Sequence, residues 1–451
     1  MRDFRAGTLF CAQGIFVLVF FYSLSVGLLI QLVMLPYVMP ELHAGQGLLK
    51  GGDWVVFQQE AVQLANRIHH EGWAIWELRP QGNAPIGIAA AVYALTGISE
   101  PWVLMPLNAG LFAIGATCLY MMFALIAPPR LAFVATMPYV FFPSAAMIFG
   151  QIHKDVWSIA GIALVALVWV RFAVYSMLDW KDAAIQVMLV LVGVLLIWLV
   201  RPYLVQVVLA ASTLTVLVIA VRAIFARGDG FKHSMQWWAG MALSITLLVL
   251  FVVPSPVTHV SPVTNVWEAV VSKEPGRGDL AWHGTEWIPA FTDNILSGFI
   301  DIRRGFTEGY PHAGSNIDTA VQFHSVADVV RYIPRALQVA LFAPFPSMWG
   351  GSGASPGATH MRLLAGIEMA FTYLVLPGVI LLFIRRGGHG LAAVAVIQAV
   401  VPMVILALVV SNVGTLYRMR YGYWQILIGL GIIGWGIWLQ HWKTKCRRTA
   451  D

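Results

Sequence analysis

Charge is what this chain of 451 residues lacks: Asp, Glu, Lys and Arg make up only 11% of it. A soluble globular protein carries about 25% charged residues, so the deficit excludes an ordinary cytosolic enzyme, a disordered chain and a nucleic-acid binder. Cysteine is scarce as well. Cys11, Cys118 and Cys446 are widely spaced, in or beside apolar or inner segments, and offer neither a disulfide framework nor a metal site. No internal repeat stands out. Apolar side chains, in contrast, reach 59%, with a mean hydropathy of +0.75. A formal charge of +6 could point to a nucleic-acid partner, but in a membrane protein basic residues usually mark the cytoplasmic side. The composition is that of a polytopic membrane protein.

A helix crosses the hydrocarbon core in roughly 20 residues. Apolar runs of about that length lie at 13–38, 102–127, 131–149, 156–175, 183–200, 203–222, 235–254, 363–384, 391–410 and 423–440. The first is too long and too poorly terminated for a cleavable signal peptide and reads as a retained anchor. A further stretch, 84–98, is apolar but short. Charge decides its role. If it does not cross and the N-terminus is cytoplasmic, the inner pieces hold thirteen Lys/Arg against five acids, and the outer pieces fourteen against sixteen. If it did cross, one terminus would face the wrong way and the basic cluster at 222–234 would move outside. The expectation is therefore an all-α protein of about ten spans, with both termini cytoplasmic and two large outer-face loops carrying amphipathic helices. It divides into an N-terminal module (1–254, spans 1–7, including the outer loop 39–101), an outer region (255–362) and a C-terminal module (363–451, spans 8–10).

The outer loops carry helix signals. Gly51-Gly52-Asp53 is a turn with Asp53 as a candidate N-cap. Trp54, Phe57, Ala61, Leu64 and Ile68 follow at spacings of three and four, an amphipathic stripe suited to the membrane surface, and Gly72 ends it. Residues 326–342 predict a second amphipathic helix, interrupted by Pro334. The glycines near 344–357 read as a linker or a lid. The outer region also holds Trp267, Trp282, Trp287 and Tyr310.

Charged groups near a bilayer are costly and each needs a reason. Asp53 is either a helix cap or a functional acid. In Gln151-Ile152-His153-Lys154-Asp155, His153 and Asp155 are a base–orienter or metal-ligand pair and Lys154 an anion ligand; interfacial snorkelling plus an N-cap is the alternative. Arg201, at the outer end of span 5, has no positive-inside reason to be there. Tyr417-Arg418-Met419-Arg420, before span 10, places two guanidinium groups and a hydroxyl on the outer face. With Arg201 they suit a phosphate or diphosphate clamp, or else lipid headgroup contact. Glu368 is the one acid buried in a span, a candidate partner for one of these arginines.

The layout resembles the polyprenyl-phosphate-dependent glycosyltransferases of the GT-C fold. The resemblance covers roughly residues 1–200. A first span precedes an acid and a surface helix (Gly52-Asp53-Trp54…Phe57…Ala61…Leu64). A Pro-containing short apolar stretch follows (Asn83-Ala84-Pro85-Ile86-Gly87…Gly97), and then an outer turn whose acid falls on Asp155. The segment at 412–420 is similar to membrane proteins of bacterial exopolysaccharide clusters. Asp53 is followed by Trp54, not by the second acid of the family's pair. The resemblance implies a glycosyltransferase of the bacterial inner (plasma) membrane. Its partners would be a polyprenyl-phosphate sugar donor, a glycan or lipid acceptor and membrane lipids, and the acids Asp53 and Asp155 would belong to the active site, with a divalent metal (Mg or Mn) in some members. Together with the charges read above, the expected site is Asp53, His153 and Asp155 as catalytic groups and Lys154, Arg201, Glu368, Tyr417, Arg418 and Arg420 as substrate ligands. The alternatives are a polymerase or ligase acting on a lipid-diphosphate-linked glycan, a flippase, or an assembly subunit. Asp53 and Asp155 are expected over one outward cavity.

Overall fold

A computed structural model describes residues 2–174, 180–225, 235–252, 290–309, 314–351, 356–384 and 389–448, with short stretches at 282–283 and 288. Among them the only strands are the hairpin β1 (His43–Gly45) and β2 (Leu48–Leu49). Everything else regular is helical. Eight helices are long and apolar enough to cross a membrane, and nine if one bent pair counts as a span. The seventh expected span, 235–254, is an apolar helix at Met235–Val252, outside that count.

In chain order, α1 (Arg2–Leu29) continues through a wider turn to Val38. Helices α2 (Asp53–Glu71) and α3 (Ala84–Thr96) follow, then α4 (Met105–Ala124) and the pair α5 (Pro129–Phe141) and α6 (Pro143–Phe149). Next come α7 (Asp155–Val174), α8 (Trp180–Val200), α9 (Pro202–Phe225) and α10 (Met235–Val252). The second long inter-span region holds α11 (Ala290–Gly309) and α12 (Val326–Phe342). The last helices are α13 (Pro356–Val375), α14 (Pro377–Ile384), α15 (His389–Val409), α16 (Val413–Met419) and α17 (Tyr421–Arg448).

Helix α7 is the centre of the bundle, packed by α4, α8, α15 and α17. It approaches α8 closely because glycines face each other: a methyl on Gly161 would strike the carbonyl of Gly193. With no hydrophobic force between helices in lipid, such close packing is what holds them together.

Several expectations need correction. The run 131–149 is bent by 67° at Phe142. Pro143 drives the residue before it out of helical geometry (Phe142 φ −59°, ψ 131°) and restarts the chain as α6. The α2 stripe does not face the membrane. Trp54, Phe57, Ala61, Ala65 and Ile68 bury against Ile86, Ala89, Ala90 and Tyr93 of α3, and Leu64 lies at the margin. A helix of 13 residues spans about 20 Å, short of the ~30 Å core, so α3 serves as a platform for α2. Gly52, not Asp53, occupies the N-cap. Helix α12 runs unbroken through Pro334, beside exposed Val330 and Ile333. Trp267, Trp287 and Tyr310 lie outside the described residues.

Candidate functional site

The segment 149–155 joins the bent span to α7 and is held from three sides. Gln31 Nε2 donates to the Gly150 carbonyl (2.8 Å), and Asn108 Nδ2 to those of Phe149 (3.1 Å) and Gln151 (3.0 Å). The Leu49 N–H donates to Gln151 Oε1 (3.1 Å), and Trp54 Nε1 to the Leu49 carbonyl (2.6 Å). Polar side chains thus satisfy a buried turn's carbonyls and aim the residues that follow.

Those residues form a chain of charge. Asp155, 1% exposed, receives Arg201 Nη2 on one carboxylate oxygen (2.5 Å) and lies 2.9 Å from His153 Nδ1 with the other. The Asp155 backbone N–H also lies 3.1 Å from Nδ1. On the other side of the ring Arg418 Nη1 donates to Nε2 at 3.1 Å. A guanidinium has no acceptor, so Nε2 holds the lone pair and a neutral ring carries its proton on Nδ1, toward Asp155. Trp54 flanks the imidazole, ring centres 5.6 Å apart, and Arg201 Nη1 also donates to Tyr203 Oη (2.8 Å).

His153 and Arg418 open onto a cavity of ≈350 Å³. Both long inter-span regions contribute walls, with Trp54 from the first and Gly314, Ser315 and Pro344 from the second. Ser144, Ser315, Arg362, Tyr417 and Tyr421 add polar groups, and Met147, Ile148, Met348, Met361 and Leu364 make the lining mainly apolar. Beyond the segment 342–348 lies a largely apolar groove of ≈600 Å³, lined by Phe342, Phe345, Leu376, Ile380 and Val396.

The candidates named from the sequence divide. Asp155, His153, Arg201 and Arg418 converge. Lys154 lies over the Phe57 ring at 5.3 Å. Its ammonium is brought down to about 8 by burial and Arg201, while Asp53 and Asp155 oppose the shift and Arg79 adds to it. Asp53 is exposed at the start of α2, felt by Lys154 but not lining the cavity. Asp155 likewise stands one residue layer behind the wall.

Among the described residues Glu368 meets no arginine. It accepts the backbone N–H and the hydroxyl of Ser144 (2.8 Å each) and the hydroxyl of Tyr417, so it caps the restarted helix α6. Arg420 is wholly buried and turned away from the cavity. It donates to the carbonyls of Val339, Ala340 and Ala343 and stacks on Tyr417 and Trp424. It holds α12 to α17 in place of a ligand. Ser144, Arg79 and Arg362 are not singled out by the sequence. Arg362, which donates to the Gly314 carbonyl (2.7 Å), could have been: like Arg201, it is a base at the end of an apolar span.

Among the described residues no three His, Cys, Asp or Glu side chains gather as metal ligands. Both Asp155 oxygens face cationic or protonated nitrogen, so they do not fit the oxygen donor set that Mg or Mn requires. No family model matches the chain, and comparison with curated proteins gives no match.

Proposed function

We propose that the protein is a membrane glycosyltransferase of GT-C type. It moves a sugar from a polyprenyl-phosphate-linked donor to a glycan or lipid acceptor on the outer face of a bacterial inner membrane, in cell-envelope or exopolysaccharide synthesis. The observation that carries this reading is the chain Asp155–His153–Arg418, ending at an apolar-walled cavity with an apolar groove beside it. A cation and a base at one end of a greasy pocket suit a ligand with a phosphate head and a hydrocarbon tail.

In this reading Arg418 moves from His153 Nε2 to the donor phosphate. The freed Nε2 takes the proton of the acceptor hydroxyl while its oxygen bonds to the sugar's anomeric carbon. The bond from that carbon to the phosphate oxygen breaks, and the phosphate leaves as an anion held by Arg418. Asp155, held by Arg201, stabilises the imidazolium. Asp155 is then the orienter, not the base.

The test is release of radiolabelled sugar from a panel of polyprenyl-phosphate-linked hexoses and pentoses in proteoliposomes. His153→Gln should abolish transfer while the protein inserts normally. Unchanged transfer in that variant removes the reading. A polymerase or ligase acting on a lipid-diphosphate-linked glycan is the second reading, favoured by cations in excess of those one phosphate needs. Movement of an intact lipid-linked glycan with no glycosidic bond made would support a flippase instead.

A further inference from the structure

The hydroxyl groups around the cavity have a direction. Ser144, Ser315, Tyr417 and Tyr421 stand in its lining. A hydroxyl carries one hydrogen and two lone pairs. Three of these four spend that hydrogen on groups outside the lining. Ser144 Oγ donates to Glu368 Oε2 (2.8 Å), Tyr417 Oη donates to the same oxygen, and Tyr421 Oη donates to the Tyr139 carbonyl (2.9 Å). Glu368 is 2% exposed and acts from behind the wall. Ser144 and Tyr417 are left with lone pairs: toward a ligand they accept and do not donate.

Their spacing is set as well. Ser144 belongs to α6 and Tyr417 to α16, and Glu368 of α13 draws them together. Both oxygens bond to Oε2, so they lie no farther apart than two hydrogen bonds reach. The same lining holds the guanidinium groups of Arg418 and Arg362 and, among the described residues, no carboxylate. The cavity therefore asks two things of a ligand, a negative group and a close pair of hydrogen-bond donors. A sugar phosphate carries both, because adjacent ring hydroxyls are two donors side by side. A plain phosphate ester carries only the first.

We propose that Ser144 Oγ and Tyr417 Oη, aimed by Glu368, are the acceptors that recognise adjacent hydroxyls of a sugar whose phosphate meets Arg418. Glu368 is a positioning residue: it touches no ligand and fixes which way two hydrogens point. This rests on the glycosyl-transfer reading for the sugar's role as the group transferred, but recognition does not require transfer. Specificity follows from the same arrangement. A ring without hydroxyls displaces the water from both oxygens and gives them no donor in return. A site built on hydrogen bonds rejects such an analogue far more strongly than an apolar pocket does.

The experiment is calorimetry on the full-length protein in phosphatidylcholine nanodiscs. The probes are the 1-phosphates of glucose, galactose, mannose and xylose, cyclohexyl phosphate (a six-membered ring without hydroxyls) and phosphoethanolamine. At least one sugar phosphate should bind about tenfold more tightly than cyclohexyl phosphate, although the lining is mainly apolar. In Glu368→Gln an amide donates where the carboxylate accepted, so the two hydroxyls turn their hydrogens toward the ligand. The sugar preference should then fall to within about twofold, with cyclohexyl phosphate binding unchanged. If that variant weakens both probes alike, the cap on α6 has failed and Tyr417→Phe decides. Tyr417→Phe removes one acceptor and leaves the Ser144 bonds, so it should lower sugar phosphate affinity about fivefold and spare cyclohexyl phosphate. No sugar preference in the parent, a preference that survives Glu368→Gln, or an equal loss of both probes in Tyr417→Phe overturns the proposal. Tighter binding of phosphoethanolamine than of every sugar phosphate gives the acceptors to an ammonium and overturns it too. Binding is read without turnover, so a sugar preference without sugar transfer removes only the transfer reading, and transfer without the preference removes only this one.

Discussion

Arg418 Nη1 lies 3.1 Å from His153 Nε2, so the cation at the cavity occupies the lone pair that a base would use. The two groups cannot both serve a substrate while they serve each other. Anything that draws the guanidinium away exposes the imidazole, and a phosphate does that by offering two charge-assisted contacts for one. Ligand binding and base activation are therefore one event on the proposed reading.

If Arg418 holds the leaving phosphate, Arg418→Lys should impair turnover nearly as much as Arg418→Ala. Lysine keeps the charge but loses the planar fork. A contact that strengthens as the phosphate leaves is worth about 2–4 kcal/mol, a rate loss of roughly 30- to 1000-fold. Insertion should be normal, since Arg418 is only half-buried. Activity within about twofold of the parent in the lysine variant would remove Arg418 from the site.

Arg420 should behave in the opposite way. Replacing it by alanine strands the carbonyls of Val339, Ala340 and Ala343, and a lysine cannot reach three acceptors in one plane. Both variants should lose about 3–5 kcal/mol and show a lower Tm in detergent, with reduced yield. A stable Arg420→Lys protein with selective loss of turnover would show that Arg420 acts on substrate after all.

Stability should depend on pH through Lys154, whose ammonium burial brings down to about 8. The folded value lies below that of an unfolded lysine, about 10.4, so between the two the folded state binds fewer protons and the protein gains stability as pH rises. Tm in detergent, followed from about pH 8 to 10, should show this gain relative to Lys154→Arg, which stays charged throughout. Equal pH dependence in the parent and Lys154→Arg proteins would assign the effect elsewhere.

Asp318, which does not line the cavity, offers a separate stability test. Asp318, in left-handed backbone at φ +51°, accepts Arg335 through two nitrogens (2.8 and 3.1 Å) and Tyr332 Oη (2.8 Å). Burial raises its carboxyl, but these contacts outweigh burial and hold it below the usual range. Asp318→Asn keeps the shape and tolerates the backbone, and should cost about 1–2 kcal/mol at neutral pH. The ionised group contributes stability above the unfolded carboxylate value and loses it as pH falls through the lower folded one. The Tm difference between variant and parent should therefore shrink in acid.

Topology is open to labelling. His69 and Thr96 are exposed, as is the native Cys446 on α17. An impermeant maleimide should modify His69→Cys and Thr96→Cys in intact cells, and Cys446 only after permeabilisation. Reaction of Thr96→Cys from the inside alone would place α3 across the bilayer.

The long elements were legible because their causes are local. Runs of apolar residues near 20 mark the spans, and Gly52 and Gly72 bound α2 as turn residues should. Helix α12 begins at Val326 and ends at Phe342, as its spacing predicts. The site was legible only as a set of costly charges. Which of them meet depends on contacts far apart in sequence, such as Arg418 with His153, 265 residues away. Two cases show the limit. A proline inside an apolar run reads the same whether the span is straight or broken, so the bend at Phe142 was hidden. Arg418 and Arg420 read as a pair, yet residues two apart on a helix face opposite ways. One points to the cavity and the other into the packing between helices.

The cap on α6 has a consequence for how the chain is made. Ser144 presents its backbone N–H to a carboxylate 224 residues later, at Glu368. Until α13 is synthesised and inserted, that N–H has no such acceptor, within a layer where unmet peptide groups are costly. The bent span therefore enters the bilayer ahead of the residue that completes it. The cavity, which needs Ser144 from the first half and Tyr417 from the last tenth, exists only after the ribosome has nearly finished. A half-made chain lacks the cavity, and a truncated one should be recognised by the cell's membrane proteases as an unfinished protein.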